Sequence, residues 1–206
     1  MDKLELLYDH YKDTYGLVKD AQSNRNKTFL FLNIALVINL LFVIEPTSVI
    51  IIATSWLKES HGVDIRLQVE IFQVFLWLIL LYFTMRYVQV NCYIERQYRY
   101  IHQLEKSITD KSEIKIDRES ENYLGDYPFV LKGVHIFYTW IFPILFGIAI
   151  AYKIIIEIRN SAFGIPVVFS CIIFLCCLVL FFLYFCFLHK TTKSDKKSKN
   201  IREKRK

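Results

Sequence analysis

The chain has 206 residues, 54% of them hydrophobic, and a formal net charge of +6. That is more apolar surface than one soluble domain of this length hides in a core, and it is gathered in long blocks. A soluble globular fold is excluded and a lipid-spanning helical one indicated, because backbone groups inside a bilayer must be satisfied without water.

Residues 1–27 carry five basic and five acidic side chains. Leu4, Leu7, Tyr8, Tyr11, Tyr15 and Val18 recur among them at three- and four-residue spacing, the pattern of an amphipathic helix. No small-residue cleavage site precedes the first apolar block, so that block is expected to be a retained anchor. It runs from Thr28 to Ile44, the short end of what crosses a hydrocarbon core, and Glu45-Pro46 stops it. Ser48 to Trp56 is too short to cross. It is expected to be interfacial or re-entrant, with Trp56 at the headgroups, or else to prolong the first span beyond a proline kink.

The second span is expected from Val69 to Phe83, ending at Met85-Arg86. Val90, Ile94, Ile101, Leu104 and Ile108 then mark one face of the same helix, which should run from Leu67 to about Ser107. At 1.5 Å per residue such a helix is roughly 60 Å long, half of it outside the bilayer, and its stripe should pack on that of residues 1–27. Between 109 and 127 the chain is polar. Glu113-Ile114-Lys115-Ile116-Asp117 alternates like a short strand, and Gly125-Asp126-Tyr127-Pro128 reads as a turn back into the membrane. Val134 to Ile156, with Pro143 and Gly147, and Phe163 to Leu188 are the third and fourth spans, joined tightly enough to form an antiparallel hairpin. The tail from His189 is rich in lysine, arginine and serine and is expected to lack structure.

Orientation follows from Lys and Arg, which cytoplasmic segments retain. With the N-terminus, the middle segment and the tail inside, 22 of the 26 basic residues lie there. The expected fold is therefore an all-α membrane protein with four transmembrane helices in two hairpins. Its parts are a cytoplasmic amphipathic helix (1–27), a first hairpin (28–85, with an interfacial segment at 48–57), a cytoplasmic helix and loop (86–132), a second hairpin (133–188) and a basic cytoplasmic tail (189–206).

Candidate chemistry is sparse. Arg96 and His102 have the spacing used by HEPN-type ribonucleases, in which Arg and His stabilise and protonate around a scissile phosphate. Tyr87, Tyr93, Tyr98 and Tyr100, interleaved with Arg86, Arg96 and Arg99, could stack bases and neutralise phosphates, or engage a protein partner. The same mixture suits a helix leaving a bilayer, aromatics at the interface and Arg at the headgroups. Lys193, Lys196, Lys197 and Lys199 in the tail suit anionic lipid headgroups. Asn33 and Asn39 lie deep enough in the first span to contact other helices. Glu70, Lys153 and Glu157 sit near span ends, where snorkelling accounts for them, and Lys153 and Glu157 are spaced to pair. Gln73 is a further polar residue in the spans. The odd cysteine count, with four of the five in the last span, argues against a disulfide framework or zinc site, although Cys176-Cys177 could be a redox pair. No phosphate-cradling glycine loop or hydrolase motif is present, and no metal or cofactor is expected.

A charged leader helix, paired hairpins, the Tyr/Arg-rich run Tyr93-Ile94-Glu95-Arg96-Gln97-Tyr98, the stretch from Arg118-Glu119 through Tyr123-Leu124 to Tyr127-Pro128, and a lysine-rich tail together have a precedent. In these features the chain resembles the small multi-span accessory membrane proteins of prokaryotic antiviral systems, most closely those encoded beside the RNA-guided ribonuclease of type VI-B CRISPR loci. The resemblance implies residence in the inner membrane of a prokaryote, homo-oligomer formation, and a partner-dependent, non-enzymatic role in RNA-targeting defence. An RNA-guided nuclease, RNA or a nucleotide signal would be sensed by the cytoplasmic helices, and the membrane helices would alter permeability. One kind of accessory in such loci carries a divergent HEPN-like pattern and assembles in a pore-like way; here only Arg96 and His102 could carry that over. The alternatives are a constitutive small channel or transporter and a membrane-tethered HEPN-like ribonuclease.

Overall fold

The computed structural model describes residues 3–62, 68–112, 133, 136–160 and 164–203, the side chains of residues 3, 139 and 188–203 excepted. The described residues are almost entirely helical and contain no strand. In chain order they form α1 (Lys3–Ile44), α2 (Pro46–His61), α3 (Val69–Ser112), a π-helical turn (Phe137–Ile141), α4 (Phe142–Asn160) and α5 (Ile165–Glu203). The strand expected at 113–117, the turn at 125–128, and the stretch from Arg118 to Pro128 lie outside the described residues.

Three helices, α1, α3 and the Ile165–Phe187 part of α5, are long and apolar enough to cross a membrane, which marks the chain as a multi-pass membrane protein. Helix α4 has 19 residues and carries Lys153, Glu157 and Arg159 in its second half, and it is not among the three.

Helix α1 ends at Ile44 because Pro46, which has no amide proton, cannot continue it and instead occupies the first turn of α2. Gly62, with φ at 66°, closes α2 in the left-handed conformation that a Cβ disfavours. None of the 16 residues of α2 is buried. Helix α3 starts at Val69 and runs past the expected end at Ser107 to Ser112. Pro143 stands just after the π-helical turn, which is where a missing backbone donor disturbs the regular ladder. The tail expected to lack structure is helical to Glu203. Once the apolar turns of α5 have formed, each further residue costs only propagation, and Lys, Arg and Glu are good helix formers.

The chain divides into two compact units, residues 1–30 with 86–137 and residues 31–85 with 138–206. In the first, the two apolar stripes meet as expected: Tyr11, Val18, Ile101, Leu104 and Ile108 form a buried cluster, flanked by Leu4, Leu7, Tyr15 and Tyr98. Tyr8, expected in the stripe, is 55% exposed and points away. Tyr11 donates to Oε1 of the buried Glu105 at 3.2 Å, Gln22 donates to the Tyr98 hydroxyl at 2.7 Å, and Phe29 lies 5.7 Å from Tyr87. Across these pairs, positions rise along α1 as they fall along α3, so the two segments run antiparallel.

In the second unit the same helices are joined by Phe31 with Phe83 (5.7 Å) and Phe42 with Phe72 (5.4 Å). Asn39, fully buried, donates both to Ala35 O on its own helix and to Leu76 O of α3, at 2.8 and 3.2 Å. A side-chain amide bonded to a neighbouring backbone contributes about 0.6–2 kcal/mol between membrane helices and fixes their register. Asn33 is half-buried on the same helix.

Ile101 is fully buried in the first unit, and truncation to Ala should cost about 2–5 kcal/mol. Hydrogen exchange should then accelerate together in residues 3–25 and 98–112, whereas unchanged protection of both would contradict the packing of the two stripes.

Candidate functional site

A buried tryptophan does not belong in the middle of a span unless its indole N–H finds an acceptor, because no water is there to take the bond. Trp77 of α3 is fully buried, and its Nε1 donates to Glu157 Oε2 of α4 at 2.8 Å. One helical turn before Glu157, Lys153 extends its Nζ to within 3.5 Å of the same carboxylate oxygen. That nitrogen also stands 4.0 Å above the centroid of the Trp77 ring. The indole thus serves both charges, its N–H satisfying the carboxylate and its π face the ammonium. Phe174 of α5 meets the ring edge-on at 6.3 Å, so Trp77 joins three helices.

Both charged side chains are sealed, with Lys153 at 0% and Glu157 at 1% side-chain exposure. This corrects the expectation that they snorkel from span ends. Both side chains turn inward onto Trp77 of α3, while Ile158, Arg159 and Asn160 at the end of α4 stay exposed. Glu70, by contrast, is exposed at the start of α3, and Gln73 is half-buried. Ser170 of α5 is fully buried, and among the described residues neither its hydroxyl nor Lys153 Nζ has a hydrogen-bond partner. It lies one turn before Phe174, on the same face. Ring pairs Phe146 with Phe181 and Trp140 with Phe185 fix α4 and α5 as antiparallel, which places Ser170 between Lys153 and Glu157 in height.

Removing two charges from water costs several kcal/mol per ion, and the pair's mutual attraction rarely exceeds that cost. A charge-assisted hydrogen bond of about 1.5–3 kcal/mol and a desolvated cation–π contact of about 2 kcal/mol offset much of it. An apolar trio of similar volume would do at least as well for stability, so the charges point to function.

Arg96 and His102 both lie on the exposed surface of α3. Six positions apart on one helix, they are separated by about 120° around the axis, so within one chain they do not face a common point. Tyr93, Arg96, Arg99 and Tyr100 are exposed. Tyr98 instead turns toward α1, where its hydroxyl accepts from Gln22, and it packs against the buried cluster. Outside the spans, burial first and the Glu95 carboxylate second push the Cys92 thiol above its ordinary value, which keeps it a poor nucleophile. All five cysteines are free, Cys176 exposed and Cys177 buried. The backbone of Lys193, Lys196, Lys197 and Lys199 falls on the helical end of α5.

Sequence reasoning misses Trp77 and its junction with the pair: the i, i+4 spacing of Lys153 and Glu157 marks a pair but not its direction, and the available signal is a tryptophan placed at mid-block instead of at an interface.

Comparison with protein-family models, with curated proteins and with solved structures finds no match to this chain.

Lys153→Met leaves the Glu157 charge buried without its cation and should destabilise the protein by about 3–5 kcal/mol, whereas Lys153→Met with Glu157→Gln should be close to neutral. Thermal unfolding in detergent distinguishes the two; equal losses in the single and double variants would contradict a buried ion pair.

Proposed function

We propose that the chain is a four-span membrane effector of RNA-targeting antiviral defence, with both termini in the cytoplasm. Its α1–α3 cytoplasmic segments receive a partner or signal, and its membrane helices, in several copies, alter permeability. The buried Lys153, Glu157 and Trp77 cluster is the observation that carries the permeability reading. A buried charge pair held by one indole suits a helix displacement that exposes charge on a conducting path. Helix α3 supplies both Trp77 and the Tyr93 to Tyr100 surface, so displacement of that helix links reception to response. Four spans follow if α4 shares the bilayer with α5, its charges masked by Trp77. The distribution of lysine and arginine supports cytoplasmic termini. The defence role itself rests on the resemblance of the Tyr/Arg-rich helix, hairpins and basic tail to accessory proteins of type VI-B loci.

Ile148, Ile155, Phe169, Ile172 and Phe182 of the membrane helices are more than half exposed, an apolar face open to lipid or to further copies of the chain.

In cells that also carry a type VI-B RNA-guided nuclease, propidium influx should follow expression of the targeted transcript and be absent without it. The double variant Lys153→Met, Glu157→Gln should reach the membrane at native levels yet abolish influx. An intact membrane potential in triggered cells with the native chain would overturn the reading, and influx without any trigger would favour a constitutive channel.

A further inference from the structure

Helices α4 and α5 do not close on one another along their whole length. Between them lies an open apolar groove of about 240 Å³. Pro143, Ile144 and Gly147 form one wall, and Leu178, Phe182 and Phe185 the other. Phe146 and Phe181, 4.5 Å apart, pack at its base. The groove exists because Pro143 and Gly147 supply little bulk where a larger residue would fill the space; a Cβ at Gly147 would meet nothing within 4 Å. Leu178, Phe181, Phe182 and Phe185 recur at the three- and four-residue spacing that keeps them on one face of α5. Trp140 stands edge-on to Phe185 at 5.0 Å, at the end of the groove nearest the tail.

Helix α5 then continues unbroken into the most basic part of the chain, with nine Lys and Arg from position 190 onward. Positions 190 and 193 follow Phe185 by rises of roughly 8 and 12 Å, the distance from acyl chain to phosphate level. An apolar slot ending where a cationic helix begins has the polarity of an anionic lipid.

We propose that this groove binds an anionic glycerophospholipid, one acyl chain lying between α4 and α5 and the phosphate at the level of the basic positions that follow on the α5 backbone. The site rests on α4 sharing the bilayer with α5 and is independent of any permeability change, so lipid retention and dye influx succeed or fail separately.

Native mass spectrometry of the full-length chain, released from detergent with equal amounts of phosphatidylglycerol and phosphatidylcholine, tests it. Phosphatidylglycerol should be retained in preference, and Gly147→Leu, which fills the groove without a clash, should lose it. Lys190→Gln and Lys193→Gln should each lower the preference by up to about fivefold while leaving some lipid bound. These tail changes leave the spans untouched, so they decide the matter even if Gly147→Leu does not fold. Equal retention of both lipids by the native chain, full retention by Gly147→Leu, or a lipid-free dimer that Gly147→Leu dissolves would overturn the assignment.

Discussion

The membrane unit depends on one side chain. Trp77 accepts the ammonium of Lys153 on its face, donates its N–H to Glu157, and meets Phe174 with its edge, so α3, α4 and α5 converge on a single indole. Van der Waals packing alone gives membrane helices little to choose between neighbouring registers, since lipid tails are as apolar as leucine. A buried charge pair removes that freedom. Any rotation of α4 that took Glu157 from the indole would leave a carboxylate in hydrocarbon. Asn39, bonded to Leu76 O one residue before Trp77, fixes α1 against α3 at nearly the same height. Specific polar contacts thus set the register, and the aromatic pairs fill the space between them.

The proposed function rests on the same arrangement. A charge pair that adds little net stability yet is completely sealed is read there as the closed half of a two-state element. Trp77 belongs to the helix that also carries the exposed Tyr93, Arg96 and Tyr100. The first unit is built differently, around an apolar seam of Tyr11, Val18, Ile101, Leu104 and Ile108 that needs no charge to define it.

That difference explains how much could be foreseen from the residues. The seam was legible because its apolar side chains stand at helical spacing against a polar background. The end of α1 was legible from Glu45-Pro46, and the apolar blocks from their length. Inside the blocks the contrast disappears. Leu32, Ala35 and Phe42 are buried while Leu30, Phe31 and Ile34 are exposed, and nothing in their chemistry separates the two sets. With lipid on one side and protein on the other, both faces of a helix are apolar, so the inward direction of Lys153 and Glu157 could not be read from periodicity. The helical tail escaped notice because its composition reads as disorder when the preceding helix is ignored.

The most direct test of the Trp77 junction is a double-mutant cycle in bilayer nanodiscs, combining Trp77→Phe, which removes the indole donor, with Glu157→Leu, which removes the acceptor, and reading unfolding free energy. A bond between indole and carboxylate requires a coupling of about 1–3 kcal/mol between the two changes. Strictly additive effects would mean that the two side chains do not meet, and the three helices would then have to be held by some other contact.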